Sequence, residues 1–148
     1  ELAIMSGVVF LVTGNGGVNL AAALDAKATA TVSGTNSHML VEAGDISVGA
    51  EAASTATLTI SDGGRVTTLA GGINIGEGID STGTVIVQDA ESNLGATGRI
   101  HLGGLTSVAG SAATLVVGSD ASVTSGQAAP GGVSADITRI DAYKVYEN

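Results

Sequence analysis

The sequence predicts an all-β chain wound as a three-sided parallel solenoid of about 27–30 residues per coil, with four or more coils. Three observations lead there. The strings Thr57-Leu58-Thr59-Ile60-Ser61-Asp62-Gly63-Gly64, Thr84-Val85-Ile86-Val87-Gln88-Asp89-Ala90 and Thr114-Leu115-Val116-Val117-Gly118-Ser119-Asp120 repeat one strand-and-turn pattern, and self-similarity at such a period is the mark of stacked coils. A second pattern keeps nearly the same step: Ile46-Ser47-Val48-Gly49, Ile73-Asn74-Ile75-Gly76 and Ile100-His101-Leu102-Gly103 lie 27 and again 27 residues apart. Aromatic residues make up only 2% of the chain. A stack in which each inward Val, Leu or Ile meets its counterpart about 4.8 Å away needs no large ring to fill its core.

The first strand type ends on Val32, Ile60, Val87 and Val117, at steps of 28, 27 and 30 residues. Leu58 in, Thr59 out and Ile60 in gives it the two-residue period of a half-buried strand. A weaker apolar position, Met39, Val66, Leu94 and Val123, follows each copy after a small or glycine-containing turn and supplies the second side. The isoleucine-led pattern supplies the third. The expected inward set is Val32, Ile46, Val48, Leu58, Ile60, Ile73, Ile75, Val85, Val87, Ile100, Leu102, Leu115 and Val117.

The repeats occupy residues 28–125. Before them, residues 1–27 read as an apolar N-terminal strand and cap, with Val8-Val9-Phe10-Leu11-Val12 favouring a strand. Within it, Leu20-Ala21-Ala22-Ala23-Leu24 suits either a short helical turn or a coil corner. After the repeats, residues 126–148 read as a C-terminal cap or docking strand carrying Tyr143 and Tyr146. Leu2 to Val12 is too short to span a membrane as a helix, which takes about 20 apolar residues. The chain opens at Glu1 without a signal-like segment, so an export signal is expected to have been removed or to lie outside it.

Composition narrows the function. A net charge of −9 and only Lys27, Arg65, Arg99, Arg139 and Lys144 as cations disfavour nucleic acid as a partner. The absence of cysteine removes disulfides and thiolate metal sites. Gly14-Asn15-Gly16 after a strand evokes a dinucleotide loop, but Asn19 stands where the third glycine belongs and no alternating helices follow. Acidic turns at Asp62-Gly63-Gly64, Glu77-Gly78-Ile79-Asp80 and Asp89-Ala90-Glu91 lack any calcium-loop spacing and read as solvated turns, with at most a weak calcium site and no other cofactor.

For catalysis, His38 and His101 are the only histidines, no G-x-S-x-G elbow surrounds a serine, and nothing selects a carboxylate pair. His101 falls in the outward column of Ser47 and Asn74 and reads as a surface residue. The T-x-T pairs at Thr29/Thr31 and Thr57/Thr59 suggest an ice-binding lattice, which breaks down where Ile86 and Val116 replace threonine. These two residues form instead an outward apolar stripe suited to lateral association.

The repeats resemble the β-helical passenger domains of bacterial autotransporters, surface proteins of Gram-negative envelopes. That family alternates a unit like V-S-G-A-G-S-x-W-x-N-S-G-x-L-x-V-G with one like G-T-L-T-I-S-x-G-G-x-V. The segment from Val87 to Gly103 matches the first in length with Leu94 at the tryptophan place, Val32 to Gly49 matches it with one extra residue and Met39 near that place, and Ala56 to Val66 matches the second. The resemblance implies a right-handed β-helix, an extracellular or cell-surface location, and a structural or adhesive role without catalytic residues. The alternative is a self-assembling extracellular filament subunit, because solenoid ends are open strand edges. Its candidate contacts are Val8, Val9, Phe10, Leu11, Ile86, Val116, Tyr143 and Tyr146, with N-terminal strand exchange. A carbohydrate-active β-helix enzyme ranks third. Expected partners are therefore further copies of the chain, head-to-tail or lateral, or a ligand on a host or bacterial surface.

Overall fold

A computed structural model describes residues 1–103 and 111–126 in full and the backbone strand 133–135. Each coil contributes three strands. The first has β1 (Leu2–Met5), β2 (Val9–Val12) and β3 (Val18–Leu20); the second has β4 (Lys27–Ser33), β5 (His38–Val41) and β6 (Ile46–Val48). The third has β7 (Thr55–Ser61), β8 (Arg65–Thr68) and β9 (Ile73–Ile75); the fourth has β10 (Thr82–Val87), β11 (Asn93–Ala96) and β12 (Ile100–Leu102). The last has β13 (Ala112–Val117), β14 (Ser122–Ser125) and β15 (Val133–Ala135).

Like strands stack on like, giving three parallel five-stranded sheets: β1-β4-β7-β10-β13 (sheet A), β2-β5-β8-β11-β14 (sheet B) and β3-β6-β9-β12-β15 (sheet C). The protein is an all-β parallel solenoid, with no helix among the described residues.

The registers align the inward side chains into columns. Sheet A stacks Leu2, Ala30, Leu58, Val85 and Leu115 in one column, and Ile4, Val32, Ile60, Val87 and Val117 in the next. Sheet B stacks Phe10, Met39, Val66, Leu94 and Val123. Sheet C stacks Val18, Ile46, Ile73 and Ile100 beside Leu20, Val48, Ile75 and Leu102. Val32, Ile46, Val48, Leu58, Ile60, Ile73, Ile75, Val85, Val87, Ile100 and Leu102 are buried. Leu115 and Val117, in the last sheet A strand, are half-buried. Both lie in the inward columns, but β13 ends its sheet, so their far sides have no described strand stacked on them.

One reading of the N-terminal segment changes. Residues 2–20 are not a strand lying outside the repeats: β1, β2 and β3 pair in register with β4, β5 and β6 and form a complete first coil. The repeat is hard to see there because Ala3 stands where later coils carry Thr31 and Thr59, and Leu11 where β8 has Thr67. Of the two forms open to the segment around Leu20-Ala21-Ala22, the structure adopts the corner, with Ala21 in the left-handed region at φ 61°.

The corners repeat as faithfully as the strands. Between sheets C and A, Asp25, Ala53 and Asp80 share φ values of 57°, 54° and 53°. The serine after two of them closes the turn, Ser54 Oγ donating to Glu51 O and Ser81 Oγ to Gly78 O, each at 2.7 Å. Between sheets A and B, buried serines reach across coils: Ser37 Oγ accepts from the Gly7 N–H at 3.0 Å and Ser92 Oγ from the Gly63 N–H at 3.1 Å. Gly63 is buried, and its amide left without this acceptor would cost about 1–3 kcal/mol.

Candidate functional site

Three outward surfaces are available, one per sheet, and they differ in chemistry. On sheet A, Thr29, Thr57, Thr84 and Thr114 form one outward column and Thr31, Thr59, Ile86 and Val116 the next. The register thus brings Ile86 and Val116 directly together, both half-buried, as two apolar residues continuing a threonine column.

On the first coil the outward surface of sheets A and B is apolar. Met5, Val8, Val9, Phe10 and Leu11 are 52, 54, 58, 38 and 49% exposed. Val9 and Leu11 face away from the core, whereas Phe10 occupies the inward column over Met39 and is bared because β2 is the end strand of its sheet. These residues form a contiguous segment well apart in the chain from Ile86 and Val116. Tyr143 and Tyr146 lie outside the described residues.

Beside this patch, His38 stands in register with Val9 on one side and Arg65 on the other. Its Nε2 lies 3.1 Å from Thr67 Oγ1. Burial, and then the positive charge of Arg65, push the imidazole pKa below its usual 6.5.

The acidic turns behave as turns. Asp62 and Asp89 adopt φ 52° and 69°, and Asp62 Oδ2 accepts from Ser33 Oγ at 2.7 Å while its own N–H approaches Asp89 Oδ2 at 3.4 Å. Among the described residues no three His, Asp or Glu side chains converge as a metal site would need.

Sheet C carries an open polar groove. Its strands are three residues long, so one outward column runs along it, Asn19, Ser47, Asn74 and His101. Corner and strand residues line an open cleft of about 520 Å³: Asp45, Ala70, Gly71, Gly72, Asn74, Glu77, Thr97, Gly98, Arg99 and His101. Glycine makes the wall thin: a Cβ on Gly71 would press into the carbonyl oxygen of Gly44, and one on Gly72 would stand 2.6 Å from that of Arg99.

The cleft is internally organised. Asp45 Oδ1 accepts from the Gly72 N–H at 2.7 Å and Oδ2 from Asn74 Nδ2 at 3.5 Å. Glu77 Oε2 accepts from Ser47 Oγ at 3.3 Å. Asn74 and Ser47 are only 7% and 6% exposed although they point away from the hydrophobic core. Arg99 is exposed, His101 half-buried, and neither side chain has a hydrogen bond or ion pair with a described residue. His101 and Glu77, read from the sequence as a surface residue and a solvated turn, are both cleft residues. Asn74 belongs to an outward column the sequence offers for binding, whereas Asp45 drew no functional reading and Arg99 only one as a cation too isolated for nucleic acid. The signal for them was their phase, Asp45 just before Ile46-Ser47-Val48 and Arg99 just before Ile100-His101-Leu102.

Comparison of the chain with family models, curated proteins and solved structures returned no match.

Proposed function

We propose that this chain is a non-enzymatic structural and adhesive β-solenoid of a bacterial cell surface, of the autotransporter-passenger type. The observation that carries this reading is the unbroken stack: three sheets in register through every described coil, with eleven of the thirteen expected core residues buried. Such a stack is a stiff rod whose outer faces are free to bind, because each inward position is filled by its neighbours in the adjacent coils. The repeat resemblance supplies the bacterial surface context.

The test is adhesion of a folded chain. Beads coated with the protein are expected to be retained on a cell layer more strongly than beads coated with an unfolded Ile75→Asp variant. Equal retention of the two would remove the adhesive reading.

A filament subunit is the second reading, favoured by the exposed Met5 to Leu11 segment at an open sheet end. Negative-stain microscopy of the full chain beside a Val9→Lys/Leu11→Lys variant separates the two. Filaments from the parent alone support assembly through the first coil, and short rods from both leave the scaffold reading in place.

A further inference from the structure

We infer that the sheet C cleft is a binding site for a sugar acid, a polyhydroxylated ring bearing one carboxylate. The argument begins with what the cleft asks of a ligand. At one end stand fixed acceptors, the carboxylates of Asp45 and Glu77, each already oriented by a donor from the protein. Between them lies Asn74, more than nine-tenths buried and lining the cleft. Its Nδ2 is committed to Asp45, and its Oδ1 accepts no hydrogen bond from a described residue. No buried side-chain oxygen or nitrogen of the described residues lacks a partner, so this oxygen keeps contact with solvent, on the cleft that Asn74 lines. The acceptors call for a ligand with several O–H donors.

The other end calls for an anion. Arg99 and His101 line the cleft one coil further on, and the Arg99 guanidinium, which binds carboxylates with forked geometry, has no anionic partner among the described residues. Asp45 and Arg99 occupy equivalent corners two coils apart, about 10 Å, room for one sugar ring and its carboxylate. The cleft is open, so a ring would lie along it with one face in solvent. A plain carboxylic acid would leave the Asp45, Asn74 and Glu77 acceptors unused, and a neutral sugar would leave Arg99 unused. A sugar acid meets both ends.

The inference deepens the adhesive reading and rests on it for its biological use. Its test is a titration of the full chain with D-glucuronate and, separately, D-glucose, followed by NMR at the His101 imidazole and the Asn74 side-chain amide. Glucuronate is expected to shift both signals saturably and glucose to leave them in place. Arg99→Ala, on an exposed side chain, should retain the parent's circular dichroism and weaken glucuronate by about tenfold or more, the scale of one charge-assisted hydrogen bond. Arg65→Ala, on sheet B, should bind as the parent does. No shift with glucuronate, an equal shift with glucose, or an equal loss in Arg65→Ala overturns the site. Beads that adhere while glucuronate leaves His101 unmoved refute the site alone, and a site that binds on a chain whose beads do not adhere refutes the adhesive reading alone.

Discussion

Sheets A and C share a strand count, a parallel order and apolar inward columns, yet their outer surfaces are opposites. In sheet A the central strands β4, β7 and β10 run six or seven residues. Their corners stand far apart, and Thr57, Thr59 and Thr84 keep partial exposure. In sheet C each strand runs three residues, so the corners crowd the single outward column and bury Ser47 and Asn74. Short strands recess the column in the two middle coils, at Ser47 and Asn74, while Asn19 on the end coil is exposed and His101 half-buried. A polar side chain at the floor of a recess must then find hydrogen bonds, which Ser47 and Asn74 do with Glu77 and Asp45.

The contrast between inside and outside of sheet C can be broken hardest at Ile75. Ile75→Asp places a carboxylate in a column with no solvent exposure, at a penalty of several kcal/mol, and should abolish the cooperative thermal melt, whereas His101→Asp on the outer side of the neighbouring strand should keep it. A melt that survives Ile75→Asp would mean the phasing of the strands is wrong.

The thin wall of the cleft is the next lever. Gly71→Ala forces a methyl against the Gly44 carbonyl and should cost about 1–3 kcal/mol, the usual scale of overpacking, read by urea denaturation. Ser92→Ala probes a corner instead of a face. It strips the Gly63 N–H of its acceptor and should cost a similar amount, about 1–3 kcal/mol, with Ser92→Thr as the control that keeps the hydroxyl. On the open face, Thr57→Val should stay within about 0.5 kcal/mol of the parent. A large loss there would show that sheet A is less open than its exposure implies.

The smallest effect is a pH dependence. Because folding lowers the His38 pKa beneath 6.5, the unfolded chain binds a proton there more readily than the folded one. His38 therefore adds to stability above its unfolded pKa, and that contribution falls as the pH drops from about 6.5 toward the folded value. Stability curves of the parent and His38→Gln measured across this interval should converge at its acid end. Parallel curves would remove His38 as their source.

The fold was legible because its repeats are written in side chains that must face one way. Ile46-Ser47-Val48, Ile73-Asn74-Ile75 and Ile100-His101-Leu102 alternate inward and outward at one step, and a slip of one residue would turn every isoleucine to solvent. The first coil was less legible because its outward positions, Ala3, Val9 and Leu11, are themselves apolar, which erases the alternation that marks a strand's two sides. Neither could the serine corners be read in advance, since Ser92 meets Gly63 across 29 residues only once the coils are stacked.

By itself, then, the sequence determined the coil length, the three-strand rhythm and the inward residues, since burial of apolar side chains acts on a period that is visible along the chain. Tertiary structure alone decided that Asp45, Asn74, Glu77, Arg99 and His101 share a cleft. They come from three successive coils and from corners as well as strands, and what gathers them is the stacking of those coils about 4.8 Å apart.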